Sequence, residues 1–322
     1  MQHLKNSEWQ NVTGITEFLL LGFRNVENLN ILLFLLFLVI YIVTLSGNFL
    51  IVALVMAEQH LHTPMYFFLS NLSFVEICYT SNILPRMLNS FLTGDKTISF
   101  VGCILQMHLF STLAATECYL LAVMSYDRYL AICRPLHYVT LMDNRTCILL
   151  VSVSWLIGSL LITILTSLLT QLTFCSQYQI DHFFCDFTPV VRLSCSDTRV
   201  IETAAFITSS IGILPTFLIT VTSYIFIITT ILKIPSMTGR QKAFSTCSSH
   251  LTVVSVFYGS LAFVYILPTN GKFKELNKVF SFLYTILTPM ANPFIYSLRN
   301  KDVKDTLRKA LCQFGCCFSC IH

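Results

Sequence analysis

Charge is what this sequence has least of. Of its 322 residues, 20 are Lys or Arg and 16 are Asp or Glu, while 55% are hydrophobic and mean hydropathy is +0.71. Soluble domains carry about 25% charged side chains, so this composition excludes a water-soluble enzyme or binding module. Catalytic signatures are missing too. No His-Glu-x-x-His or Gly-x-Ser-x-Gly occurs, and the eight histidines do not cluster at metal-ligand spacing, so no enzyme is expected. There is no internal repeat with paired Gly- or Pro-broken helices, as a secondary transporter would show, and no filter or charged pore ring. No nucleic-acid partner is expected. The apolar runs also lack the period-two alternation of barrel strands.

What the chain does have is length of apolar sequence. Runs free of Asp, Glu, Lys and Arg cover residues 28–57, 146–180, 203–232, 243–271 and 279–298. Two more, 59–85 and 97–126, hold one carboxylate each, Glu76 and Glu117. About 20 helical residues cross a hydrocarbon core roughly 30 Å thick. The fold class that follows is an all-α membrane protein, a seven-transmembrane helix bundle. Its parts are an extracellular tail (1–27), the bundle (28–300) and a cytoplasmic segment (301–322).

Orientation is weakly encoded by charge, because Lys and Arg divide almost evenly between the two sides. The sequon Asn11-Val12-Thr13 marks Asn11 as a glycosylation acceptor and places the N-terminus outside, hence the C-terminus in the cytoplasm of a plasma-membrane protein. The first apolar run starts late and is too long for a cleavable signal peptide, so it serves as a signal anchor.

The 13 cysteines divide by compartment. Cys103 lies at the outer end of span three, and Cys175, Cys185 and Cys195 lie in the long loop after span four. On the oxidising side these four staple that loop, and their number alone allows three pairings. At the other end, residues 301–311 space Val303, Leu307 and Leu311 along one face of a short amphipathic eighth helix lying against membrane lipid. Cys312, Cys316, Cys317 and Cys320 follow, as candidates for palmitoylation or as free thiols.

Buried polar residues carry the mechanism. Glu76 lies roughly 18 Å from the inner end of span two at Pro64, and Glu117 about 15 Å from Asp127 in span three. Both reach mid-membrane, at a depth comparable to Asn48 and Asn292. Two neighbouring carboxylates cannot both stay ionised without a cation, so the pair holds a proton or a sodium ion.

Four phrases occur in order at the right spans. They are Leu61-His62-Thr63-Pro64-Met65-Tyr66-Phe67-Phe68-Leu69-Ser70, then Met124-Ser125-Tyr126-Asp127-Arg128-Tyr129-Leu130-Ala131-Ile132-Cys133, then Lys242-Ala243-Phe244-Ser245-Thr246-Cys247-Ser248-Ser249-His250-Leu251, and Pro289-Met290-Ala291-Asn292-Pro293-Phe294-Ile295-Tyr296-Ser297-Leu298-Arg299-Asn300. An Asp-Arg-Tyr triplet alone is weak; together the four resemble the odorant receptors, a subfamily of the rhodopsin-like G-protein-coupled receptors, over about Phe18 to Leu307.

The resemblance implies disulfides Cys103–Cys185 and Cys175–Cys195, and a sodium site built on Glu76 and Glu117. It implies a small-molecule odorant as ligand and a stimulatory, olfactory G protein as partner, with a rise in cyclic AMP. Asp127, Arg128 and Tyr129, with Asn292, Pro293 and Tyr296, form the switch: Arg128 pairs with Asp127 at rest and swings free on activation, and Tyr224 and Tyr296 hold the opened state. Tyr258 stands where related receptors carry a tryptophan toggle.

The ligand pocket is expected in the outer half between spans three, five, six and seven. Its candidate lining is His108, Phe110, Ser111, Ala114, Thr208, Gly212, Tyr258, Leu261, Ala262, Tyr265 and Thr285. These are mostly apolar with scattered hydroxyls, and Phe110 stands where amine receptors carry an aspartate. A neutral volatile molecule therefore fits better than an amine. The alternative is a rhodopsin-like receptor for a lipid or small hydrophobic metabolite.

Overall fold

The computed structural model describes residues 16–22, 29–175, 178–266, 273–299 and 303. Apolar chain can satisfy its own peptide groups only within helices or closed sheets, and the long runs take the helical solution. The long helices are α1 (Asn30–Ala57), α2 (Pro64–Thr93) and α3 (Phe100–Cys133), then α5 (Asn144–Leu169), α7 (Arg199–Leu232) and α8 (Met237–Ile266). Two short ones, α4 (Pro135–Leu141) and α6 (Phe187–Val191), sit in the connections before and after α5. The last helical run comprises α9 (Phe273–Phe282), a π-helical stretch (Leu283–Leu287) and α10 (Thr288–Arg299).

Among the described residues, α1, α3, α5 and α7 are long and apolar enough to cross a membrane, with mean hydropathies of 2.4, 1.3, 2.5 and 2.1. Their faces are sorted accordingly. On α1, Phe37, Ile40, Thr44, Asn48 and Ile51 are buried at three- and four-residue spacing, while Ile31, Leu35, Val39 and Ile42 are exposed. Such a wide apolar outer face is what a lipid-contacting helix presents.

Local chemistry sets the helix ends. Ser99 Oγ accepts from the Gly102 amide at 3.1 Å to cap α3, and Asp143 accepts from the Thr146 amide at 2.9 Å to cap α5. Hydrogen bonds from the Thr146 side chain and amide also hold the Asp143 carboxyl below the usual range. Pro64 opens α2 at a position where no amide donor is needed, and Gly94 closes it at φ +75°.

Helix α3 is central, packing on α2, α5 and α7, while α1 packs on α2 and α10. A Cβ on Gly47 of α1 would sit 2.9 Å from Cβ of Pro293, so glycine there permits the close approach of α10. The expected tail 1–27 turns out to hold structure that the sequence reading missed. Strand β1 (Glu17–Leu20) pairs antiparallel with β2 (Thr97–Ser99) and parallel with β3 (Gln179–Ile180), in the order β2-β1-β3. Phe18 is 1% exposed beneath this small sheet, packed against Phe100 and Phe174.

Candidate ligand cavity and switch residues

One end of the bundle is roofed by the chain between α5 and α7. Cys103 on α3 is bonded to Cys185 and Cys175 to Cys195, so the roof is tied both to the bundle and to itself. Gln106 reinforces the first tie: its Oε1 accepts from the Cys185 amide at 3.0 Å, and it exchanges amide bonds of 2.9 Å with Asn82 on α2. Lys278 on α9, only 2% exposed, donates to Asp181 at 2.7 Å and anchors the roof from the other side. Next to that pair, burial and the Lys278 charge push the His182 imidazole down to about 3, so it is neutral.

Beneath this roof lies a cavity of about 460 Å³ between α3, α5 and α7. Of the expected lining, Phe110, Ser111, Ala114, Thr208, Gly212 and Leu261 are present. Four others are not brought to it. His108 turns toward α5, where Nδ1 meets Thr166 Oγ1 at 2.9 Å. Tyr258 donates inward to the Cys118 carbonyl at 3.2 Å. Ala262 is exposed, and Thr285 is consumed by a 2.7 Å bond to the Ser281 carbonyl. The Tyr265 side chain lies outside the described part. The cavity leans toward α5, which contributes Leu161, Ile162, Leu165 and Thr166, and among the described residues no α9 side chain lines it.

The sequence reading also missed the rim, where Arg192 and Glu202 bring charge to an otherwise apolar space lined with the hydroxyls of Ser111, Thr188 and Ser209. Arg192 follows α6 in the loop after Cys185, and Glu202 sits in the first turn of α7.

Deeper in the bundle, Glu76, Glu117, Asn48 and Asn292 are all buried. Asn292 donates its Nδ2 to Glu76 Oε1, and Asn48 donates to the carbonyls of Thr44 and Pro289 at 3.1 and 3.2 Å, tying α1 to α10. Both oxygens of Glu117 are buried without a hydrogen-bond partner, as are the amide oxygens of Asn48 and Asn292. Four unsatisfied acceptors of oxygen type are a donor set that suits a proton or a hard cation.

At the opposite end from the roof, Asp127 and Arg128 form no close ion pair among the described residues, although the Arg128 charge acts on the Asp127 carboxyl. Neighbours one residue apart on a helix do not face each other. Asp127 turns to α4 and accepts from the Tyr138 hydroxyl at 2.9 Å. Arg128 has its Nε buried and unbonded, and it lies within electrostatic reach of Tyr224, Cys247 and His250 as well as of Asp127 and Tyr138. Tyr224 Oη meets His250 Nδ1 at 2.5 Å. His250, which stood inside one of the four phrases, was not singled out in sequence. Tyr129 packs on Tyr126 and Phe226, and Pro293 lies in α10 against Gly47. The Tyr296 side chain, Asn11 and the cysteines from 312 onward lie outside the described residues, as does the expected eighth helix apart from Val303, which is helical and buried.

The olfactory receptor family matches residues 37–314. Olfactory receptor 6E1 of Mus musculus is 48% identical over 305 residues, covering 94% of this chain and 97% of its own. Olfactory receptor 6N1 of Homo sapiens is 47% identical over 305 residues, covering 95% and 98%, and human olfactory receptor 6F1 is 50% identical over 299 residues, covering 93% and 97%. On this match, nearly the full length of both partners, the chain belongs to the olfactory receptor family: it is a multi-pass membrane receptor of the G-protein-coupled class, and not an enzyme.

Proposed function

We propose that this receptor binds a small, neutral, volatile odorant in the cavity between α3, α5 and α7 and thereby activates a stimulatory, olfactory G protein that raises cyclic AMP. The observation that carries the reading is the continuity of α3, which lines the cavity with Ser111 and Ala114, holds Glu117 one turn deeper and carries Arg128 in its last turns before Cys133. In the same reading α2, α8 and the α9–α10 run also cross the membrane, giving seven spans for residues 28–300. The disulfide-tied roof then faces the oxidising exterior with the tail 1–27, and 301–322 is cytoplasmic.

The chain's own residues do the work. A ligand favours whichever packing it contacts more strongly, so a guest drawing α7 toward α3 biases the arrangement at the far end. There the Tyr224–His250 contact joins α7 to α8 beside Arg128, and Tyr296 is assigned to the same opened state. Tyr258, bonded to the Cys118 carbonyl beside the cavity-lining Cys118, is placed to report the ligand to α8. A G-protein surface would meet Arg128 and the α4 helix, whose Leu136 and Val139 are 91% and 79% exposed. Glu76 and Glu117, with Asn48 and Asn292, would hold a sodium ion or a proton, which neutralises charge between the spans.

A second reading, a lipid or small hydrophobic metabolite as ligand, is favoured by Phe206. It lines the cavity yet is 74% exposed, so the space reaches the lipid-facing surface of α7. Cyclic AMP responses to a panel of volatile odorants and fatty metabolites, in cells expressing the receptor with and without the olfactory Gα, decide between the two. No response to any compound, in cells with proven surface receptor, counts against both.

A further inference from the structure

A second cavity lies away from the odorant space and shares none of its described lining. It is enclosed by the β1 end, the start of α1, α2 and the roof, with Leu20, Gly22, Asn30, Phe91 and Phe183 in its walls beside Arg86 and Lys96. Arg86 stands on α2 seven residues before its last residue, about 10 Å inside the helix end. Its Nε and Nη2 are both buried without a hydrogen-bond partner.

Those two nitrogens form one edge of the guanidinium, the edge whose parallel N–H bonds match the two oxygens of a carboxylate or phosphate. Among the described residues neither Arg86 nor Lys96 has an ion-pair partner. The nearby carboxylate, Asp95, is exposed, feels the Arg86 charge only from beyond ion-pair distance and takes two bonds of 2.8 Å from Thr97 through the same oxygen. A buried guanidinium edge left unpaired is costly. Arg86 as a whole is only part-buried and lines the cavity, so a guest held there is the nearest group that a small turn of the guanidinium would pair. The space open to a water-sized guest is about 30 Å³ in a partly open cavity, room for the small charged group of an amphiphile but not for a whole odorant. Its walls set apolar Leu20, Phe91 and Phe183 beside polar Asn30 and Ser90.

The geometry points to an oxyanion site at the outer end of α2: Arg86, with Lys96, clamps the carboxylate or phosphate of an amphiphile whose apolar body lies along Leu20 and Phe91. Two sources share that chemistry, a free fatty carboxylate and the head group of a bilayer lipid.

The test uses the purified full-length receptor in neutral nanodiscs at constant sodium. Thermal unfolding is followed with hexanoate, with uncharged hexanol as its match, and in a separate arm with phosphatidate mixed into the bilayer. Hexanoate or phosphatidate, and not hexanol, is expected to raise the unfolding midpoint by a few degrees. Arg86→Gln should weaken the apparent affinity about tenfold or more, and Arg86→Lys should keep the charge but lose the two-pronged fit, giving an intermediate value. A shift with hexanoate alone identifies the free acid as source, and with phosphatidate alone the lipid. If Arg86→Gln does not fold, Arg86→Lys and Lys96→Gln carry the same comparison. No shift with either anion, or a shift that survives Arg86→Gln unchanged, means that the cavity holds water only and overturns the proposal.

Discussion

The hydroxyl of Tyr224 and Nδ1 of His250 meet at 2.5 Å, and their rings stack with centroids 5.9 Å apart, joining α7 to α8 through two buried side chains beside Arg128. Whatever moves α8 relative to α7 must break or remake this contact. Tyr224→Phe removes the hydroxyl and keeps the ring. A hydrogen bond of this kind contributes about 1 kcal/mol, so agonist potency should shift roughly fivefold. His250→Phe should shift it similarly, and the double variant should do no worse than the larger single effect. Additive losses in cyclic AMP dose-response curves would show that the two act separately.

Arg128→Ala, at equal surface expression, is expected to abolish agonist-stimulated nucleotide exchange. Tyr138→Phe acts differently. It strips Asp127, 1% exposed, of its hydroxyl partner, leaving a buried carboxylate unsatisfied at a cost of about 1–3 kcal/mol. Its signature is therefore a lowered unfolding midpoint, and an unchanged midpoint would mean that the bond contributes nothing.

The cavity gives a paired prediction. An added Cβ at Gly212 would lie 3.8 Å from Tyr119 Oη, in ordinary contact, so larger side chains there are accommodated only by filling the space between α3 and α7. Gly212→Leu should reduce agonist potency at least tenfold with little loss of expression. Ala262→Leu, on an exposed surface outside the cavity, should leave it unchanged. Equal effects from both would displace the proposed ligand site.

The unsatisfied acceptors around Glu117 predict a dependence on sodium. Replacing sodium by choline should change basal exchange in the parent receptor, and Glu117→Gln should remove that dependence. If the parent is indifferent to sodium, the carboxylate pair holds only a proton.

The roof carries a pH dependence of definite sign. His182 is held neutral, with its value depressed to about 3 by burial and by Lys278, whereas in the unfolded chain it titrates near 6.5. The unfolded state therefore binds the extra proton first as pH falls, and stability is complete above pH ~6.5 and declines from there toward pH ~3. At about 1.4 kcal/mol per pH unit, up to about 2 kcal/mol should be lost between pH ~6.5 and ~5. Unfolding midpoints across this range, compared with His182→Gln, measure it. A slope identical in the variant assigns the effect to other groups.

Apolar run length determined the helices, because an uncharged stretch of this kind has no other way to satisfy its peptide groups in lipid. The four phrases determined the family, and the depth of Glu76 and Glu117 along their helices followed from the rise per residue. Facing and pairing across the bundle were decided only by the tertiary structure. Sequence spacing could not tell that Asp127 accepts from Tyr138 or that Arg128 lies near Tyr224 on α7 and His250 on α8, because only the packed neighbours fix what each helix residue meets. Nor could it place the cavity against α5 in place of α9, or insert Glu17–Leu20 between two distant segments, since a short strand acquires its partners only when the helix ends and the roof are already assembled.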